Sequence, residues 1–178
     1  MGTVPSFRTW VAGEIVTAAY MNGNVRDAGN FFIGQPIVQI YQATLQSIGN
    51  STMTSLAFDA SDVDTDSGHS NVTNNSRYTG KTAGWFQFGG GVGFAANATG
   101  ARGGRWMKNG SVVAHGSMIG KGVDTASFQA GFPARDIFVQ LNGSTDYVEL
   151  QAFQTSGGNL NTDAADHACY LNGKWIHS

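Results

Sequence analysis

Charge is what this 178-residue chain has least of: Asp, Glu, Lys and Arg make up 12% of it, about half the roughly 25% usual for a globular domain. Ten Lys and Arg oppose twelve Asp and Glu for a formal net charge of −2, and no run of basic residues could track a phosphate backbone. Nucleic acid is therefore excluded as a partner. The single cysteine, Cys169, cannot form an intrachain disulfide, so the fold is expected to need no oxidising compartment and to form in a cytosol. The opening MGTVPSFRTW lacks a basic stretch followed by an apolar core, and no apolar run is long enough to span a bilayer. A soluble chain, not exported by a standard signal and not membrane-bound, is expected. Asn-X-Ser/Thr sequons at Asn50, Asn71, Asn74, Asn97 and Asn142 would suggest a glycoprotein, but a chain this rich in Asn, Ser and Thr generates them by chance.

Hydrophobic residues at 41% are enough for one packed core, and the length suits one ordinary domain with an appendage. The 25 glycines have no Gly-X-Y period, which excludes collagen, and they lie among β-branched and aromatic residues, which argues against disorder. Residues 13–33 carry the one helical pattern. Thr17 is placed as N-cap, and Ala18, Met21, Val25, Ala28 and Phe32 recur at alternating spacings of three and four, the rhythm of a coiled-coil seam. Gly23 and Gly29 weaken that helix by about 1 kcal/mol each, so it is expected to need a partner surface. Phe7, Trp10 and Val11 form an apolar knot ahead of it that a 33-residue segment could not bury alone. Phe7, Trp10, Met21, Val25 and Phe32 are accordingly the expected anchor contacts.

Gly34 and Pro36 end the helix, and the apolar period changes to two. Strands are predicted at 37–43, 52–58, 84–96, 104–108, 111–116, 124–130, 137–141, 146–154 and 167–176. Short strands without intervening helices predict an all-β sandwich or barrel. Asn109-Gly110 predicts a type I′ hairpin between 105–108 and 111–114, and Gly49-Asn50 and Asn142-Gly143 predict further turns. In 85–97, Phe86, Phe88, Val92 and Phe94 fall on one strand face, opposite Gly89, Gly91, Gly93 and Ala95. Such a glycine row marks close approach by a backbone, a side chain or a second subunit, or else a set of bends.

Catalytic chemistry finds no foothold. His69, His115, His167 and His177 lack metal-ligand spacing, Cys169 sits in an apolar stretch without an activating base, and no convergent carboxylate pair stands out. The chain is read as a non-enzyme without cofactors. Asp59, Asp62, Asp64 and Asp66 cluster, and Asp62, Asp64 and Asp66 match the first ligands of a calcium loop. Ser67 replaces the turn glycine, however, and Thr73 the closing glutamate, which rejects a helix-loop-helix site. An irregular calcium site on these three aspartates stands beside the reading of a solvated polar loop. His69 and Tyr78, on or beside the long loop 59–83, are the expected receptor contacts, while Trp85 and Trp106 are expected in the core.

The segment TWVAGEIVTAAYMNGNVRDAGNFF resembles the N-terminal part of many small tail or fibre proteins of actinobacterial bacteriophages. The remainder resembles the trimeric jelly-roll heads of the tumour-necrosis-factor and complement superfamily. That likeness rests on an ordered series: Leu56-Ala57-Phe58-Asp59, Asn75-Ser76-Arg77-Tyr78-Thr79, Gly84-Trp85-Phe86, residues 95–102, Lys108-Asn109-Gly110, residues 146–150 and residues 154–158. Trp85-Phe86 departs conservatively from the usual Gly-x-Tyr, and residues 131–135 look like an insert. The resemblance implies an attachment segment over 1–33, a homotrimeric jelly-roll head over 34–178, and a virion component assembled in a bacterial cytoplasm. It further implies contact with other virion proteins through 1–33 and attachment to a host-surface glycan. The alternatives are a head-surface fibre or decoration protein and a free carbohydrate-binding module.

Overall fold

The computed structural model describes residues 4–121, 130–164 and 168–178. The expected strand 124–130 lies outside them except for Ala130, as do His167 and hence the start of the last expected strand. The described chain opens with an extended stretch and a helical arm: α1 (Ala18–Met21), a π-helical turn (Asn22–Arg26) and α2 (Asp27–Ile33). Strands follow as β1 (Ile37–Tyr41), β2 (Ser47–Ile48), β3 (Thr54–Ser55), β4 (Ala60–Asp64), β5 (Arg77–Thr79), β6 (Ala83–Phe94) and β7 (Ala101–Lys108). The chain then continues through β8 (Ser111–Lys121), β9 (Ala130–Asn142), β10 (Tyr147–Gln154), β11 (Leu160–Asn161) and β12 (Tyr170–His177).

Two antiparallel sheets form the sandwich. The first has the order β4-β1-β12-β6-β9; the second has β3-β10-β7-β8, with β5 also on β10, and β11 pairs β2 in a small separate ladder. Period-two alternation turns Val38 and Ile40 of β1, Phe86, Phe88, Val92 and Phe94 of β6, and Leu171 and Trp175 of β12 inward. They meet Trp106 of β7, Tyr78 of β5, and Val148, Leu150 and Ala152 of β10. This is the expected all-β jelly-roll sandwich.

The Asn109-Gly110 hairpin forms as expected: Lys108 faces Ser111, and both turn residues have positive φ, 50° and 77°. Residues 131–135 are a correction. They are no insert but continue β9 along β6, with one register shift where Phe88↔Ile137 gives way to Gly90↔Ala134. Pro133 is tolerated there because β9 is the sheet's edge strand, where a missing N–H leaves no ladder bond unmade. The expected strand 52–58 shrinks to two residues, and β4 and β5 arise inside what reads as a long loop. The arm does not hang free. Phe31 meets Trp175 edge-on at 4.9 Å, and Val4 also packs on the core.

Candidate functional site

Alternation leaves the other face of the first sheet to solvent, and its side chains fall in rows fixed by register. Tyr41 lies beside Tyr170, which lies beside Gly91; Gln39 lies beside Asn172 and then Gly89; Ile37 leads through Lys174 and Gln87 to Phe138. Phe138 is 60% exposed, Ile37 44% and Tyr170 36%. Trp85 stacks on His177 at the end of this face nearest the arm. The glycine row has a definite cause. A Cβ at Gly91 would strike the Tyr170 ring and one at Gly93 would strike Ala168, so the bare strand receives side chains of its own chain.

At the centre of the face lies a depression of about 280 Å³ lined by Gln87, Gly89, Asp136, Asn172, Gly173 and Lys174. Gly89 forms its floor. A Cβ there would lie 2.8 Å from Asn172 Oδ1 and 2.9 Å from Asp136 Oδ1. Gln87 Nε2 donates to Asp136 Oδ2 at 3.2 Å, and Gln39 Nε2 donates to Asp62 Oδ2 at 2.7 Å.

The arm presents a second apolar surface. Thr17 caps α1 as expected, its hydroxyl accepting the Tyr20 N–H at 3.3 Å. Of the expected seam only Ala28 is buried; Met21, Val25 and Phe32 are 45%, 52% and 56% exposed. Residues 7–10 lie along the helix. Phe7 stacks on Phe32, Trp10 meets Tyr20 edge-on, and the Arg8 guanidinium sits over the Trp10 and Tyr20 rings while pairing with Glu14 at 2.6 Å. Between them opens an apolar slot of about 320 Å³ bordered by Phe7, Trp10, Val25, Ala28 and Phe32.

The expected receptor contacts are not surface groups. Tyr78 is a correction: it is fully buried, its ring edge-on to Phe86 and Phe88. Burial, then the nearby Asp66 and Asp64 charges, push its phenol far up from the ordinary range. His69 is half-buried, with Nδ1 2.8 Å from the Arg77 carbonyl oxygen and Nε2 3.1 Å from that of Phe58, so it braces the loop. Trp106 is in the core as expected; Trp85 is only half-buried.

Asp62, Asp64 and Asp66 do not converge. Asp62 takes Gln39, Asp64 accepts the Gly68 and His69 N–H groups, and buried Asp66 accepts from Lys81 N, Thr82 N and Thr82 Oγ1 at 2.6, 2.8 and 2.9 Å. Asp59 turns to the Ala43 N–H. Among the described residues no group of three or more His, Cys, Asp or Glu is placed to share a metal ion. Cys169 is fully buried against the Gly93 backbone, and burial pushes its thiol up to about 11. Nothing in the sequence could have flagged the Gly89 depression, because it joins residues of β6, β9 and β12 that only the sheet order brings together.

No family profile matches the sequence, and no curated protein does. Crystal structures of murine APRIL at pH 8.0, 8.5 and 5.0 match the fold with TM-scores of 0.60, 0.58 and 0.57 at 12%, 11% and 9% identity. Each match covers 80% of this chain and 99% of the other. At such identity the likeness establishes the fold, a tumour-necrosis-factor-like jelly roll.

Proposed function

We propose that this protein is a non-enzymatic structural component of a bacteriophage particle, a tail-tip or fibre protein whose head is a homotrimer and whose arm holds it to the virion. The observation that carries the reading is the presence of two separate apolar surfaces on one small chain. The outer face of the first sheet exposes Ile37, Phe138 and Tyr170, and the arm exposes Phe7, Trp10, Met21, Val25 and Phe32. Apolar surface of this kind marks interaction sites. Two such surfaces suit two different partners: copies of the chain itself on the sheet, and another virion protein on the arm.

The same geometry supports an outward-facing recognition end. β1 leaves the arm at Ile37 and runs away from it to Tyr41, where segment 42–53, which includes β2, and loops 95–100 and 155–159 gather beyond the ends of β6 and β10. These loops are tied together, with Gly157 N donating to Asn50 Oδ1 at 2.8 Å. They expose Asn50, Thr99 and Asn159, groups suited to hydrogen-bonding a hydroxyl-rich host glycan. With Tyr78 buried in the core and both His69 ring nitrogens held by backbone carbonyls, these loops carry the proposed receptor contacts.

The test replaces Met21 and Val25 together with Asp. Both are about half-exposed, so the chain should fold and trimerise normally, while charges on the arm's apolar surface should cost several kcal/mol on burial against a partner. The double variant should be missing from purified particles; unimpaired incorporation would overturn the anchor role. A glycan array on the purified protein checks the far end, and glycan binding by a chain that never joins particles would favour a free carbohydrate-binding module.

A further inference from the structure

We infer that the depression over Gly89 binds a single sugar residue that carries a carboxylate, with the carboxylate on Lys174 and the hydroxyls on Asp136 and Asn172. The site is complete on one chain, so the inference goes beyond the homotrimer reading and does not rest on it. Its floor is open because Gly89 has no side chain. A Cβ there would stand 2.8 Å from Asn172 Oδ1 and 2.9 Å from Asp136 Oδ1, so two acceptors on the strands flanking β6 face the same space. Gln87 Nε2 donates to Asp136 Oδ2 at 3.2 Å, which steadies the carboxylate and leaves Oδ1 to the depression. Among the described residues Arg8, Arg26, Arg77 and Lys108 form ion pairs, whereas Lys174, which also lines the depression, forms none.

These groups call for a ligand with an anion at one side and hydroxyl donors at the other. Lys174 is on β12 and Asp136 on β9, with β6 between them, so their strands stand about 10 Å apart. A hydrogen bond of about 3 Å at each side leaves about 4 Å for the ligand, the reach from the carboxylate of a hexuronate to hydroxyls across its ring. An α-amino acid holds its two charged groups closer together than that. A phosphate would set a second negative charge beside Asp136 with one lysine to balance both. A neutral sugar would satisfy Asp136 and Asn172 and leave Lys174 unpaired. The volume of about 280 Å³ is at the small end for ligand pockets and suits one ring rather than a chain. If a cover closes the face, the same polar lining still needs an occupant, because enclosed polar groups require partners.

Calorimetric titration of the full-length chain with glucuronate tests the site, with glucose as the neutral comparison. Glucuronate should bind once per chain with a dissociation constant of about 1 mM, and glucose about tenfold more weakly. Lys174→Gln should reduce glucuronate to the level of glucose, and Asp136→Ala should weaken both sugars. Both residues are exposed, so these variants should fold. Gly89→Ala closes the floor, yet the atoms its methyl group meets are the ends of the Asn172 and Asp136 side chains, which can swing aside. It should therefore keep the wild-type circular dichroism spectrum and lose sugar binding. A disaccharide ending in glucuronate that binds as tightly as the free sugar would identify a glycan end as the natural source; binding tenfold worse would identify the free sugar. A wild type that binds no glucuronate, or binds it no better than glucose, would overturn the site, as would binding unmoved by Lys174→Gln and Gly89→Ala. None of these outcomes bears on the number of copies in sedimentation, so the homotrimer reading stands or falls separately.

Discussion

Gly90 lies on the face of β6 that packs against the second sheet. A methyl group on it would sit 2.7 Å from the Tyr170 carbonyl oxygen, 3.0 Å from Leu150 Cδ2 and 3.2 Å from Trp106 Cζ2. One obstacle is backbone and another a fully buried ring, so neither can yield cheaply. Gly90→Ala should therefore cost about 1–3 kcal/mol, read as a lower urea midpoint at unchanged slope. Asp146 makes a different kind of prediction. The Asn109 amide, followed by Lys108 and the Asn142 N–H, holds its carboxyl below the ordinary carboxylate range despite some burial. A depressed carboxylate contributes stability above its unfolded pKa of about 4 and loses it as pH falls through the folded value. Acid titration of stability should show this loss below about pH 4, and Asp146→Asn should shrink it. Single residues were the least legible scale. Tyr78 belongs to a three-residue strand, too short for alternation to reveal which way its ring points. Asp66 is buried because β4 and the 81–82 turn meet, a contact made by tertiary folding alone.

Elements were read best where local chemistry decides them. Asn109-Gly110 dictates its hairpin, Thr17 caps its helix, and the apolar face of β6 follows directly from alternation. They were read worst where tertiary pairing overrides local pattern. Pro133 and the Arg135-Asp136 pair break the alternation of β9, yet β6 imposes the strand across a bulge. The Asp62 and Asp64 pattern that suggested metal ligands belongs to edge strand β4, where charges discourage pairing with foreign strands. In the arm, the π turn at Asn22–Arg26 interrupts the seam that the spacing predicts. The arm's order comes from contacts its own pattern does not display, chiefly Phe31 on Trp175. Phe31→Ala should raise amide hydrogen exchange through 18–33 and leave β6 and β10 protected; equal protection in the variant would show that the arm holds itself together.

At the scale of the whole molecule, the jelly roll was legible because ordered short motifs across the chain encode the succession of strands. The pairing β4-β1-β12-β6-β9 was not, since it joins strands far apart in sequence. That order matters for function, because it assembles Ile37, Tyr170 and Phe138 into one exposed face while the core between the sheets is already filled. Such a face on a sandwich suits a cover, and the proposed trimer would supply it with copies of the same chain. The most direct measurement is sedimentation equilibrium of the full-length protein at micromolar concentration, beside a Phe138→Asp variant. Phe138 is 60% exposed in the single chain, so the substitution spares the fold while placing a charge in the interface. The account predicts three copies per particle for the wild type and a folded monomer for Phe138→Asp. A wild-type monomer, or a variant that remains trimeric, would contradict it.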